Sequence, residues 1–203
     1  MRTFKLSLVV VLAGVLGTAQ AATPDVDLER AKEIIDARCA LCHGANGDSA
    51  SPLYPRLASQ HHRYIAKQLA DFQSGRRKSD TMEGMSQGLT PEEMQAIGVY
   101  FEEKPTKPRP ALNADLAAVG HYIFQHGNEF SGVAACTTCH GEQGHGTDEL
   151  PRLAGQVPRY TEIQLRSFNE RERTNDNDIM HSIASLLTEL EIKAVAAYIG
   201  GLE

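Results

Sequence analysis

Apolar residues recur along this chain at the three- and four-residue spacing of a helix face. One amphipathic stretch runs from 27 to 38, and a related one runs from 115 to 125. Two further helices are expected to begin at Thr90 and Thr188, because each threonine is followed three residues later by a glutamate that completes a capping box. No segment of the sequence shows the two-residue alternation of a half-buried strand. The pattern therefore predicts an all-α protein.

The second pattern is an internal repeat. The segment Pro-Arg-Leu-Ala-x-Gln begins at Pro55 and again at Pro151, and the pair Arg-Tyr begins at Arg63 and again at Arg159. All of these matches share one offset of 96 residues. A repeat of this length indicates two tandem domains related by internal duplication.

Prolines separate the two halves. The linker, residues 105–114, has proline at positions 105, 108 and 110, a composition that favours an extended, semi-rigid connector. We therefore expect one domain over residues 22–104 and a second over residues 115–203. A helical domain of about 90 residues is small enough to need further stabilisation of its core.

The N-terminus predicts export. Arg2 and Lys5 precede an apolar run over residues 6–16, and Ala19-Gln20-Ala21 follows as a small-residue cleavage site. We expect residues 1–21 to be a signal peptide that is cleaved after Ala21, with an uncleaved anchor as the alternative. In a Gram-negative cell this places the protein in the periplasm.

All four cysteines belong to two Cys-x-x-Cys-His motifs, one formed by Cys39, Cys42 and His43 and the other by Cys136, Cys139 and His140. This motif is typical of c-type haem attachment, in which two thiols form thioethers with the haem and the histidine binds its iron. A redox dithiol would need a βαβ context, and a closed zinc site would need a fourth ligand that neither motif supplies locally. The sequence thus predicts two covalently attached haem c groups.

The sixth iron ligand of each haem is expected to be a methionine. Met180 is the one methionine of the second half, and it lies eight residues before the cap of the last helix. Of three methionines in the first half, only Met82 has that spacing from its own cap. The ligand histidine precedes the methionine by 39 residues in the first half and by 40 in the second. Met85 and His181 remain alternatives.

These features together resemble the cytochrome c4 family, whose members are periplasmic dihaem carriers built from two class I cytochrome c domains. The resemblance covers the chain beyond the leader. It is carried by both haem motifs, by the repeated segments, by Arg-Thr-Asn-Asp over 173–176 ahead of Met180, and by Tyr198-Ile199 near the C-terminus. The resemblance implies that His43 and Met82 hold one iron, and that His140 and Met180 hold the other.

The resemblance also implies roles for residues near each haem. In class I cytochromes a proline carbonyl after the motif accepts a hydrogen bond from the ligand histidine, and Pro55 and Pro151 match that position. The arginines next to these prolines, and those of the two Arg-Tyr pairs, are either partners of haem propionates or ordinary solvated side chains. We expect the two tyrosines, Tyr64 and Tyr160, to belong to the helix core, with packing against the haem or a hydrogen bond to a propionate as the alternative.

Closed coordination favours an electron carrier over an enzyme. Members of the family pass single electrons from a cytochrome bc1 complex or other donors to terminal oxidases, sometimes in association with the membrane. An electron-entry subunit of an oxidase or dehydrogenase complex is the alternative. A dihaem enzyme, such as a peroxidase or thiosulfate dehydrogenase, would need an open iron or a distinctive acid or base group.

Charge adds one restriction. The chain has 20 Lys and Arg against 26 Asp and Glu, a formal net charge of −6. An acidic chain without a basic stripe disfavours nucleic acid as a partner. The halves differ in acidity and in the loop before the second motif, so we expect the two haems to have different reduction potentials.

Overall fold

The structure, a computed structural model, describes residues 26–109 and 111–203. The predicted signal peptide, residues 1–21, lies outside the described residues. The helices are α1 (Leu28–Ile34), α2 (Ala40–His43), α3 (His62–Gln73), α4 (Asp80–Ser86), α5 (Pro91–Glu102), α6 (Ala114–His126), α7 (Thr137–His140), α8 (Pro158–Asn169), α9 (Ile179–Ala184) and α10 (Glu189–Gly201). A π-helical turn, Ile35–Cys39, joins α1 to α2. The described residues contain no strand beyond one isolated bridge between Asn128 and Val133, which agrees with the predicted all-α fold.

The last helix of each half begins with the capping box that the sequence predicts. In α5 the Thr90 hydroxyl accepts a hydrogen bond from the backbone N–H of Glu93, and the Glu93 carboxylate accepts one from the backbone N–H of Thr90. Thr188 and Glu191 repeat the arrangement at the start of α10. Each box satisfies backbone donors that the first turn of a helix leaves free.

Each half buries its last helix. In the first domain α1 and α3 pack against α5, and in the second domain α6 and α8 pack against α10. The first core contains ten buried apolar residues: Ala31, Ile34, Ile35, Ile65, Leu69, Leu89, Met94, Ala96, Ile97 and Phe101. The second contains five: Ile123, Phe124, Val133, Val195 and Ile199. Both cores are small for domains of this length, so a buried prosthetic group has room to contribute to them.

The two domains meet in reciprocal hydrogen bonds. The side-chain oxygen of Gln156 accepts from the backbone N–H of Arg56 at 2.7 Å, and its amide donates to the Arg56 carbonyl at 2.9 Å. Gln60 makes the same two bonds with the backbone of Arg152, at 2.8 and 3.0 Å. Because each residue is related to its counterpart by the offset of 96, the interface has a pseudo-twofold axis.

A second pair of contacts obeys the same symmetry. Arg77 donates to the hydroxyl of Tyr160 at 2.9 Å, and Arg173 donates to the hydroxyl of Tyr64 at 2.9 Å. The side-chain oxygens of Gln68 and Gln164 accept further bonds from both arginines. Each guanidinium also stacks on the phenylalanine of its own domain, Phe72 or Phe168.

These contacts change the expected roles of two tyrosines. Their phenols bind arginines of the opposite domain, whereas the sequence predicted packing within a helix or against the haem. Burial opposes ionisation of Tyr160, but the Arg77 and Arg173 guanidiniums outweigh burial and lower the pKa of that phenol. The arginines of the Arg-Tyr pairs, Arg63 and Arg159, lie more than half exposed beside Asp148 and Glu162. The structure therefore favours the prediction that these two arginines are solvated side chains over the prediction that they bind haem propionates.

The linker contacts both domains. Residues 105–109 and 111–113 adopt no helix. The Thr106 hydroxyl donates to the Ala58 carbonyl at 2.7 Å in the first domain, and the Arg109 backbone N–H donates to the Gly200 carbonyl at 3.1 Å in the second. The domain limits at 22–104 and 115–203 stay a prediction. None of the helices in the described part of the chain is both long and apolar enough to cross a membrane.

Gly120 permits the close crossing of α6 and α10. A Cβ at this position would lie far inside contact distance of the Ala194 carbonyl oxygen. We therefore expect Gly120→Ala to lower the free energy of unfolding by at least about 1–3 kcal/mol, the usual cost of overpacking a core. Chemical denaturation of the haem-loaded protein measures this. Gly84→Ala is the control, because that helical glycine has open space around it and a stabilised helix is expected; equal effects of the two changes would contradict the prediction.

The reciprocal glutamines give a second prediction. Gln60 and Gln156 are buried, and replacement of either by alanine leaves the backbone N–H and C=O of the facing arginine without these partners, so each change is expected to cost about 1–3 kcal/mol of unfolding free energy. The two losses should be similar, because the contacts are symmetric. Denaturant titration gives the values, with the exposed Gln143→Ala as the matched control. An effect no larger than that of the control would show that the interface does not stabilise the fold.

Candidate haem-binding sites

The two motif histidines end short helices in the same way. His43 is the last residue of α2 and His140 the last of α7. Each is followed by a glycine with positive φ, Gly44 at 77° and Gly141 at 80°. A side chain is unfavourable in this conformation, and glycine is the residue that commonly ends a helix with it. The chain therefore turns away directly after each histidine.

Both histidines are buried and held by the carbonyl that the sequence predicts. His43 Nδ1 lies 3.0 Å from the Pro55 carbonyl oxygen, and His140 Nδ1 lies 3.2 Å from that of Pro151. Since a carbonyl only accepts, Nδ1 carries the proton and Nε2 keeps its lone pair for a metal. Burial lowers the pKa of both imidazoles, although the proline carbonyl opposes this. A neutral imidazole is the form that binds iron.

The cysteines divide into one inner and one outer thiol per motif. Cys39 packs against the first core and Cys136 against the second. Burial raises the pKa of each of these thiols to about 11. Cys42 is half-buried and Cys139 exposed, and all four cysteines are unpaired. Among residues 26–109 and 111–203, no group of three or more His, Cys, Asp or Glu side chains is arranged to hold a metal ion.

Met82 lies in the first turn of α4. The Ser79 hydroxyl caps this helix by accepting from the Met82 backbone N–H at 3.3 Å. The Met82 side chain is partly buried and packs against the first core, whereas Met85 is 41% exposed. The packing therefore favours Met82 over Met85 as the inward-facing sulfur.

Met180 lies in the first turn of α9. Its backbone N–H donates to the Asp176 carboxylate at 2.6 Å, which fixes the start of this short helix. The neighbouring His181, the alternative ligand, has Nδ1 at 2.9 Å from the Phe168 carbonyl oxygen of α8. The two methionines thus lie in the first turns of equivalent helices, each held by a polar side chain at its backbone N–H.

These residues fit two c-type haems. Each domain presents a buried imidazole with a free Nε2, an adjacent pair of thiols and a methionine on a separate short helix. Arg152 supplies an independent observation, because its Nε is buried and has no hydrogen-bond partner among the described residues. A buried donor without a partner is costly, and a haem propionate is an acceptor that would satisfy it.

Sequence reasoning gave no interface role to Arg77 or Arg173, which lie at the centre of the interface. Arg173 begins the segment 173–176 that carries the family resemblance, but the segment does not show which domain this side chain contacts. Asp48 and His145 occupy equivalent places after the two motifs, although the offset of 96 does not pair them. The backbone N–H groups of Leu57 and Leu153 donate to the carbonyls of Gly47 and Gly144, so the two loops align at an offset of 97 up to this point.

The comparison with protein families agrees with this geometry. The cytochrome c family matches the chain twice, over residues 28–126 and over residues 124–203. The two helical domains therefore define a dihaem c-type cytochrome, with one covalently attached haem c in each domain. A cytochrome c4 from Thiocapsa roseopersicina is 39% identical over 188 residues, which cover 90% of this chain and 97% of the relative. The chain belongs to the cytochrome c4 family, and it is an electron carrier of that family.

A solved structure supports the same assignment. The crystal structure of reduced recombinant cytochrome c4 from Pseudomonas stutzeri matches with a TM-score of 0.82 and 36% identity, covering 88% of this chain and 100% of that one. Another relative, the thiosulfate dehydrogenase electron acceptor of Thiomonas intermedia (strain K12), is 34% identical over 168 residues, which cover 80% of this chain and 77% of the relative. The predicted fold of two tandem cytochrome c domains is confirmed.

Proposed function

We propose that this chain shuttles single electrons between respiratory proteins through two haems of closed coordination. His43 and Met82 hold the first iron, and His140 and Met180 hold the second. Cys39 with Cys42, and Cys136 with Cys139, form the thioethers. The observation that carries the proposal is the repetition, in both domains, of a buried imidazole oriented by a proline carbonyl and of a methionine on a short helix whose backbone N–H is bound by a polar side chain.

The residues of the chain have distinct tasks in this proposal. The haem supplies reversible one-electron exchange between ferric and ferrous iron. The proline carbonyls fix the imidazole tautomer and raise its basicity. A methionine thioether favours the ferrous state and leaves no open position for a substrate, so no bond chemistry follows.

The ligand assignment predicts which methionines matter. Met82→Ala and Met180→Ala should each convert one of the two haems from low spin to high spin and lower its reduction potential, because a thioether ligand is lost. Optical and electron paramagnetic resonance spectra of the oxidised protein measure this. Met85→Ala is the control, and both haems should stay low spin in it. A high-spin haem in the Met85 variant, with Met82→Ala unchanged, would move the ligand assignment to Met85.

The cellular setting of the proposal follows from the leader and the family. The N-terminal segment has the composition of a cleaved secretory signal, and c-type cytochromes of this family are periplasmic. We therefore place the mature chain in the periplasm, where it can associate peripherally with a membrane complex. A bc1-type complex is the proposed donor and a terminal oxidase the proposed acceptor.

One relative favours a second candidate donor. The protein from Thiomonas intermedia is named as an electron acceptor of thiosulfate dehydrogenase, so a dehydrogenase of that kind is the alternative source of electrons. In that case the chain acts as the electron-accepting partner of a dehydrogenase, and it remains a carrier without substrate chemistry of its own.

Stopped-flow kinetics separates the two donors. The oxidised protein is mixed with a reduced bc1-type complex or with thiosulfate-reduced thiosulfate dehydrogenase, and haem reduction is followed optically. We expect faster reduction by the bc1-type complex, at a rate that falls as salt rises because an acidic carrier is steered by charge. Faster reduction by the dehydrogenase would select the alternative donor. Turnover of peroxide or thiosulfate by the protein alone would contradict the carrier.

A further inference from the structure

The pseudo-twofold symmetry fails directly after the two interface glutamines. The first domain continues with His61-His62 at the start of α3, and the second continues with Val157-Pro158 at the start of α8. Both segments lie next to the reciprocal hydrogen bonds that join the domains. Imidazole side chains are therefore present at this place on one side of the axis, where the other side has apolar groups.

A carboxylate of α5 accepts from both imidazoles. Glu102 Oε1 lies 3.3 Å from His61 Nδ1, and Glu102 Oε2 lies 2.6 Å from His62 Nδ1. In α10 the residue at the same distance from the capping threonine is Gly200, and a Cβ there would lie only 2.6 Å from the Pro158 ring. The second domain thus has neither the imidazoles nor the carboxylate, and the group of three is particular to the first.

The other ring nitrogen of His61 contacts the second domain. His61 Nε2 lies 2.8 Å from the backbone carbonyl oxygen of His145. The next residue, Gly146, donates its backbone N–H to the carbonyl of His140 at 2.8 Å. A side chain of the first domain therefore holds the loop that directly follows the second haem motif.

The two contacts of His61 require two protons on its ring. An ionised carboxylate and a backbone carbonyl can only accept hydrogen bonds, whereas a neutral imidazole has one N–H and an imidazolium has two. In either neutral tautomer one ring nitrogen would direct its lone pair at the Glu102 carboxylate or at the His145 carbonyl oxygen. The observed geometry is therefore that of the cation.

The surroundings of His61 leave Glu102 as the anion that balances this cation. The start of a helix disfavours a positive charge, and His61 is the residue that precedes α3, so a carboxylate is needed there. The other charged or titratable side chains of the adjoining segments have partners of their own: His62 with Glu102, Arg63 with Asp148, His145 with the Glu203 carbonyl, and Lys104 with the Tyr100 ring.

We propose that His61 is an imidazolium bridge between the domains, which positions the loop after the second haem motif against α5 and weakens when the proton is lost. The inference needs only the fold and goes beyond the proposed function without depending on it. The bridged state binds a proton that the neutral state lacks, so its contribution to stability is present at low pH. That contribution is lost as the pH rises through the range in which histidines titrate, about pH 5–8.

Amide hydrogen exchange of the haem-loaded protein tests the bridge. After correction for the intrinsic rate at each pH, the amides of residues 145–150 should be less protected at about pH 8 than at about pH 5. His61→Gln should lose this difference, and Glu102→Gln should reduce it, because the cation then lacks its anion. His121→Gln is the matched control, since that histidine is exposed on α6, and it should keep the full difference.

Nitrogen NMR of the reduced protein supplies a readout that a merely structural role would not move. At low pH both ring N–H groups of His61 should be visible, with a coupling across the hydrogen bond from Nε2 to the His145 carbonyl carbon. Raising the pH should remove one ring proton together with the protection of the loop. A neutral His61 ring that keeps this coupling, or the same pH dependence of exchange in His61→Gln as in the unmodified protein, would overturn the inference.

Discussion

One short segment in each domain connects the motif histidine, the domain interface and the local charge. The carbonyl of Pro55 or Pro151 orients the imidazole, and the backbone of the next arginine pairs with a glutamine of the other domain. The glutamine belongs to the same repeated segment of that domain. Because both glutamines are buried and the bonds are reciprocal, neither segment can shift without disturbing the histidines of both motifs. The domain interface and the orientation of the two motif histidines are therefore linked.

The buried arginines at the pseudo-twofold axis limit how the domains can separate. Arg77 and Arg173 donate hydrogen bonds to glutamine and tyrosine side chains of both domains. Separation would leave polar groups without their partners until water reached them, which carries a free-energy cost for each group. The halves are thus held as a fixed pair. A fixed pair suits electron transfer between two haems, because a constant separation keeps the transfer rate constant.

Much of the fold followed from local sequence signals. The threonine capping boxes and the proline acceptors depend on neighbours that are close in sequence or in a known relation to the motif. The offset of 96 predicted two domains. It did not predict their contact, since a repeat shows which residues are equivalent and says nothing about which copy faces which. Tyr64 and Tyr160 illustrate this limit, because an amphipathic helix does not reveal whether its apolar face meets its own domain or the other.

The offset of 96 does not show that Asp48 and His145 occupy equivalent positions, because these two residues are 97 apart. The loop from the histidine to the repeated proline is one residue shorter in the second domain, so the offset changes from 97 to 96 within it. Both motifs continue as His-Gly-x-x-Gly at an offset of 97, and the backbone bonds to Gly47 and Gly144 agree that the change falls after these glycines. A duplicated carrier needs symmetric backbone contacts to keep its halves together, yet its side chains near each haem are free to diverge. In this chain the glutamine pairs keep the symmetry of the interface. Asp48 and His145 break it, because their side chains differ in charge although the neighbouring backbone contacts are the same.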